Sequence, residues 1–130
     1  LNRDNFKQVN DTYGQQQGDA VIIALAKILH NERTLLNNRT LFSEKFSAGR
    51  WGGEEFMLLM RDTDFSSAAF AAELIRQCFA NTNFPNVRPQ TISIGVTQAR
   101  EDDTIDTLCS RVDDALYQAK KSGKNRVVVV

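Results

Sequence analysis

Phe56-Met57-Leu58-Leu59-Met60 is a run of five apolar residues with no polar side chain for either face of a pleated strand. Strand side chains alternate between faces, so a half-exposed strand shows polar residues at every second position. A short apolar run bounded by Glu54-Glu55 and Arg61-Asp62 therefore predicts a strand held centrally in a sheet. Residues 46–51 read as its partner strand. Gly52-Gly53 lies between the two, where a tight hairpin whose turn residues adopt positive φ is expected.

The remaining pattern places helices around that hairpin. Phe6, Val9 and Tyr13 share a face over residues 5–13, with Gly14 as the stop. Val21, Ile22, Leu25, Ile28 and Leu29 stripe a second helix over 19–30, and 31–45 is polar and irregular. Asp64 or Ser66 caps a helix running to about Ala80, with Ala68, Ala71, Leu74, Ile75, Cys78 and Phe79 inward. Pro85 and Pro89 bracket a loop, and residues 91–96 form a β-branched strand. A helix over 104–122 follows, turning Ile105, Leu108, Val112, Ala115, Leu116 and Ala119 inward and ending at Gly123. Residues 127–130 are a last strand. Helices interleaved with strands in this order predict an α/β or α+β fold, with helices packed on a mixed sheet.

At 130 residues the chain forms one domain with room for a core. Sixteen basic residues balance sixteen acidic ones, so no global field points to nucleic acid or an anionic membrane. No apolar run reaches the length of a membrane-spanning helix. Cys78 and Cys109 lie on apolar helix stripes without metal-type spacing, which predicts buried thiols rather than a disulfide and fits the cytoplasm. His30, near a helix end, reads as a solvent-facing or capping residue.

Three constellations carry chemistry. Glu54 and Glu55 at a hairpin tip suit a hard cation, which takes one or two carboxylates and completes its shell with water and phosphate oxygens. They equally suit a solvated turn. Asn10-Asp11-x-x-Gly14-x-x-x-Gly18-Asp19 combines glycines that admit a ligand, a helix N-terminus, and an amide and carboxylate matched to the edge of guanine. The same residues also serve as helix punctuation. Lys120-x-x-Gly123-Lys124-Asn125-Arg126 clusters cations at a helix end, for the helix dipole or for a polyphosphate.

Together these segments resemble the GGDEF family of diguanylate cyclases over nearly the whole chain. Residues 6–14 with Gly18-Asp19 look like that family's nucleotide-binding segment, and Arg50-Trp51-Gly52-Gly53-Glu54-Glu55-Phe56 looks like its signature hairpin. Ile92-Ser93-Ile94-Gly95-Val96 and Asp113-x-Ala115-Leu116-Tyr117-x-Ala119-Lys120 resemble its late strand and helix. The resemblance implies a central mixed five-stranded sheet wrapped by helices, similar to nucleotidyl cyclases and polymerase palms. It implies condensation of two GTP into cyclic di-GMP with release of two pyrophosphates, at the interface of two copies of the chain. Asn10 and Asp19 would read guanine. Lys7, Lys120 and Lys124 would hold phosphates, with backbone amides near Asn5 and Phe6. Glu54 would bind Mg²⁺ or Mn²⁺, and Glu55 would bind metal or take the proton of the attacking hydroxyl. A bacterial signalling protein in the cytoplasm, on its own or as part of a larger membrane-bound protein, with an upstream sensor or receiver domain, is the implied setting. A degenerate domain that binds GTP as a regulatory sensor is the alternative.

Apart from Gln15, a tolerable change where a histidine is common, the chain departs from the family pattern in two places. An Asp-x-Asp pair usually precedes the Phe-Lys dipeptide, its first member ligating metal. Here Asn2-Arg3-Asp4 stands there, so Asn2, with the Arg3 backbone, falls on the metal position. A neutral amide there weakens metal binding and lowers turnover. Leu1-Asn2-Arg3 also resembles the end of a Leu-x-Asn-Arg element found further upstream in the family. On that reading the domain lacks its N-terminal strand and helix, and Asn2 replaces nothing. The second departure is at the Arg-x-x-Asp product-inhibition site, whose positions hold Ser43 and Phe46, so no tight feedback through it is expected.

Overall fold

The computed structural model of the protein describes residues 1–4, 20–21, 23, 46–52, 54–84 and 88–130. The expected helix over 5–13, most of 19–30, the segment 31–45, His30 and Pro85 lie outside them. Ala20, Val21 and Ile23 are helical, where the second helix was expected.

Strands β1 (Asn2–Arg3), β2 (Phe46–Arg50), β3 (Phe56–Met60), β4 (Ile92–Val96) and β5 (Val127–Val129) alternate with helices α1 (Phe65–Ala80) and α2 (Ile105–Lys121). β4 pairs antiparallel with β1 and parallel with β5, and β2 pairs antiparallel with β3. Backbone bonds join the two sets: Leu1 N donates to the Phe56 carbonyl at 3.0 Å, and Phe56 N returns to the Leu1 carbonyl at 2.9 Å. With the Asn2–Glu55 bridge, these bonds give one mixed sheet in the order β2-β3-β1-β4-β5. The five strands implied by the family resemblance are thus present, and β3 joins β1 at its first residue, Phe56.

Alternation along β4 assigns the two helices to opposite faces. Ile92 and Ile94 point one way, into a core with Phe56, Ala72, Ile75, Phe79, Phe84 and Val21. Ala71, Ile75 and Phe79 recur every four residues, the spacing that keeps one helix face on the sheet. Phe79 and Phe84 meet edge to face with centroids 5.8 Å apart. Each large apolar side chain buried here contributes about 1.5–3 kcal/mol. On the opposite face, a Cβ at Gly95 would lie 2.5 Å from Leu116 N and 2.7 Å from the Val112 carbonyl. Only glycine lets the backbone of α2 approach the strand so closely.

Caps fix the helix ends. Asp64 Oδ1 accepts from Ser67 N at 2.7 Å, so Asp64, not Ser66, starts α1. Thr104 and Thr107 form a reciprocal capping box on α2. At its far end Lys124 N donates to the Ala119 carbonyl at 3.0 Å, and Gly123 takes φ +128°. That is the six-to-one closure of a glycine-ended helix.

Three details differ from the expectations. Ile105, expected inward, is 80% exposed. It is the first residue of α2; a helical Cβ leans toward the N-terminus, and no preceding turn lies beneath it there. The hairpin is also wider than a two-residue turn. β2 ends at Arg50 and β3 starts at Phe56, while Trp51 N and Gly52 N both donate to the Glu55 carbonyl, at 2.8 and 3.2 Å. Gly52 does not adopt positive φ, and a Cβ there would meet nothing nearer than Glu55 Oε2 at 3.7 Å. Its glycine is required neither by backbone conformation nor by local crowding. Gly53 is outside the described residues. Leu59 also remains 55% exposed, in a groove lined by Met57 to Met60 of β3, Val96 of β4 and Leu108 and Leu116 of α2, so β3 is open along the edge that faces β4 beyond Phe56.

Candidate active site

β1 is two residues long, yet Glu54, Glu55 and Lys120 all bond to it. Its ladder runs without a break: Asn2 opposes Ser93, Arg3 opposes Ile92, and Asp4 N donates to the Thr91 carbonyl at 3.0 Å. Asn2 and Asp4 therefore share the α2 face with Ser93, and Arg3 takes the Ile92 face.

On the hairpin side, Asn2 Nδ2 donates to Glu55 Oε1 at 3.5 Å, the limit of hydrogen-bond reach. Arg3 N donates to the Glu54 carbonyl, also at 3.5 Å. Glu54 and Glu55 are both half-buried. Arg3 itself is 1% exposed. Burial lowers its guanidinium to about 10, outweighing the nearby Glu54 carboxylate, which favours the charge; Arg50 adds to the lowering. The group still carries its proton at neutral pH.

On the other side, Lys120 reaches from the last turn of α2. Its Nζ donates to the Arg3 carbonyl and to Asp4 Oδ1, both at 2.7 Å, and lies 3.5 Å from the Asn2 carbonyl. Asp4 is 1% exposed and accepts from four donors: Lys120, Ser93 Oγ at 2.7 Å, Thr91 Oγ1 at 2.7 Å and Asn125 N at 3.0 Å. Burial opposes its ionisation, but these bonds prevail and hold the carboxyl below the usual carboxylate range.

The turn after α2 is strained. Gly123, Lys124 and Asn125 all have positive φ, at 128°, 64° and 45°. The left-handed region costs a residue with a Cβ about 1–2 kcal/mol, less for asparagine than for lysine. Two anchors hold the turn: Asp4 takes the Asn125 amide, and Arg76 of α1 donates to Asn125 Oδ1 at 2.8 Å. Arg76 is itself fixed by a forked pairing to Glu73.

The structure thus brings Asn2 against the Glu55 carboxylate and the Arg3 amide against the Glu54 carbonyl, with Lys120 reaching the Arg3 carbonyl and Asp4 and the turn bearing Lys124 braced by Asp4. Asn5, Phe6, Lys7, Asn10 and Asp19 lie outside the described residues, as does Ser43. Two residues had no role in the expectations from sequence: Asp4 and Asn125. The second aspartate of the Asp-x-Asp pattern was visible, but nothing in sequence spacing shows it buried under four donors.

For a divalent metal the donor set is adequate but lean. Among the described residues no three His, Cys, Asp or Glu side chains gather. Glu55 provides a carboxylate beside the Asn2 amide, Glu54 precedes it on the same hairpin, and the Arg3 carbonyl is shared with the Lys120 ammonium. Hard cations accept that mixture when substrate phosphates and water complete the shell. The residues fit one such ion, with less negative charge than an aspartate at Asn2 would give.

Comparison with known proteins agrees with this arrangement. The family model described as diguanylate cyclase, GGDEF domain, matches residues 1–126. Diguanylate cyclase DgcM of Escherichia coli K12 is 41% identical over 128 residues, covering 98% of this chain and 29% of that protein. The response regulator PleD of Caulobacter vibrioides is 38% identical over 132 residues, covering 96% and 27%. The chain therefore spans less than a third of the length of these curated relatives. Among solved structures, the active GGEEF domain of a diguanylate cyclase from Vibrio cholerae superposes with a TM-score of 0.84 at 35% identity, covering 98% of this chain and 78% of that one. The GGDEF domain of DgcB from Caulobacter crescentus, in complex with c-di-GMP, superposes with a TM-score of 0.87 at 29% identity, covering 98% and 73%. With its sheet order, hairpin carboxylates and lysine-bearing helix end in place, the chain belongs to the GGDEF family of diguanylate cyclase domains.

Proposed function

We propose that the chain is one half-site of a diguanylate cyclase, condensing two GTP into cyclic di-GMP and two pyrophosphates between two copies. What supports this most directly is the meeting of opposite chemistries at Asn2. Its side chain touches the Glu55 carboxylate and its carbonyl faces the Lys120 ammonium at 3.5 Å. A cation site and an anion site side by side suit a nucleoside triphosphate bound with a divalent metal.

In this reading each copy holds one GTP. The 3′-hydroxyl of one attacks the α-phosphate of the other; a 3′-oxygen–phosphorus bond forms, and the bond to the β-phosphate breaks. Repeated on the second pair, this closes the ring. Lys120 and Lys124 draw the departing phosphates as point charges, together with Lys7 and backbone amides at Asn5 and Phe6. Glu55 accepts the hydroxyl proton, and Glu54 with Glu55 holds the metal. Asn10 and Asp19 select guanine. A bound Mg²⁺ or Mn²⁺ supplies neutralisation of the phosphate charge that grows in transfer. Two half-sites brought face to face supply the orientation, which accounts for much of the rate in such reactions.

The setting proposed is a cytoplasmic catalytic domain driven by an attached sensor or receiver domain. Among the described residues no helix is long and apolar enough to cross a membrane. PleD, named a response regulator, and a SiaD structure from Pseudomonas aeruginosa, solved with its activator SiaC, illustrate such control in relatives. The decisive experiment incubates the complete protein with GTP and Mg²⁺ and follows cyclic di-GMP by mass spectrometry. Product that disappears in Glu54→Ala supports the reading. A folded, dimer-competent sample that binds GTP but yields no product overturns it and leaves a GTP sensor.

A further inference from the structure

We propose that Asp4 is a positioning residue for the polyphosphate end of the site, acting through Lys120 and the Asn125 backbone. The proposal rests on Lys120 and Lys124 holding phosphate, as above, and assigns the carboxylate that sets their places.

The geometry is specific. One buried side chain links four parts of the fold: β4 through Ser93, the residue before it through Thr91, the end of α2 through Lys120, and the following turn through Asn125 N. Thr91 and Ser93 are fixed by the sheet and α2 is set by the contact at Gly95, so Asp4 is aimed by rigid elements at the Lys120 ammonium and at the turn that carries Lys124. Its two oxygens divide the work. Oδ1 takes Lys120 and Ser93, and Oδ2 takes Asn125 N and Thr91. A long lysine side chain loses rotamer freedom when it is ordered. Asp4 orders it before any substrate arrives, and the Arg3 carbonyl completes the hold. Through Asn125 N the same carboxylate braces the turn in which Lys124 and Asn125 have positive φ.

Asp4→Asn separates this role from general stability. The substituted amide still offers one oxygen to Ser93 and Lys120, and its nitrogen meets the Thr91 hydroxyl. Toward the Asn125 amide, however, it presents a donor to a donor, and the charge facing Lys120 is gone. Guanine recognition uses other residues and is untouched.

The test measures binding of α,β-methylene GTP and of GMP to the complete protein with Mg²⁺, by calorimetry. In Asp4→Asn the affinity for the triphosphate is expected to fall at least tenfold while GMP binding stays within twofold. In a Lys120→Ala background the same substitution is expected to lower the remaining triphosphate preference by less than it does alone. Equal loss for both ligands, or full additivity with Lys120→Ala, would overturn the proposal. Should Asp4→Asn fail to fold, Thr91→Val removes one donor from Oδ2 without changing charge. A smaller but selective triphosphate loss is then expected, and an unchanged triphosphate-to-GMP ratio overturns the idea. A wild-type protein with no preference for triphosphate over GMP also overturns it. A wild-type protein that shows the preference but makes no cyclic product overturns the cyclase reading alone.

Discussion

Asn2 Nδ2 and Glu55 Oε1 face each other at 3.5 Å across the β1–β3 pair, an amide donor opposite a carboxylate. Substituting Asn2→Asp would set two carboxylates at that spot. Without metal they repel, and the protein should melt at lower temperature. With Mg²⁺ the added charge is worth at least about 1.5 kcal/mol, so the concentration for half-maximal activity should fall roughly tenfold. Metal titrations of cyclase activity in both proteins check this. An unchanged metal requirement would show that Asn2 lies outside the cation's reach.

Gly95→Ala should destabilise the fold more than any surface substitution. Its Cβ would meet Leu116 N at 2.5 Å and the Val112 carbonyl at 2.7 Å, both backbone atoms of α2. Forcing the helix off the strand costs about 1–3 kcal/mol or more, a fall in melting temperature on the order of 5–10 °C. Because Lys120 rides on α2, nucleotide affinity should fall as well.

Ile105→Thr is the contrasting case. The side chain is 80% exposed at the first position of α2, and the capping box belongs to Thr104 and Thr107. Stability is expected to stay within about 0.5 kcal/mol by urea unfolding.

How much of this the sequence discloses depends on what kind of contact decides it. The bounds and stripes of α1 and α2 were legible because local spacing specifies them, as at the Ala71, Ile75, Phe79 row, whereas the choice of Asp64 over Ser66 and the capping box at Thr104 needed the structure. The sheet order was not, since Leu1 and Phe56 pair across fifty-five positions through backbone atoms that carry no sequence signature. The hairpin was placed correctly but drawn too tight, because its width follows from Trp51 and Gly52 sharing the Glu55 carbonyl. Within the site, Glu54, Glu55 and Lys120 announced themselves by residue type. Asp4 did not, because its importance comes from Thr91, Ser93, Lys120 and Asn125, which converge on it only in three dimensions.

Acid should expose two paired carboxylates in turn. Hydrogen bonds from Arg111 hold Asp103 well below the usual range, helped by the Arg100 amide and Thr107, and Asp4 is lowered by the donors already described. A carboxyl whose folded pKa is depressed binds its proton more readily when unfolded. Its stabilisation is therefore full above about pH 4 and drains away as pH falls below it. Urea unfolding between pH 7 and 2 should show a steep acid limb. Arg111→Gln should flatten part of that limb, and Asp4, Glu73 paired with Arg76 and the Asp64 cap share the part that remains.

The close contact at Gly95 also acts as a gauge. A helix seated backbone-to-backbone on a strand at Ala115 and Leu116 has little freedom to slide. Lys120 sits only about 6–7 Å further along the axis, at 1.5 Å per residue. Errors in where that ammonium lands are thereby limited to the play of a single side chain. Any larger displacement of the cation relative to the hairpin carboxylates would have to carry the sheet's central strands with it.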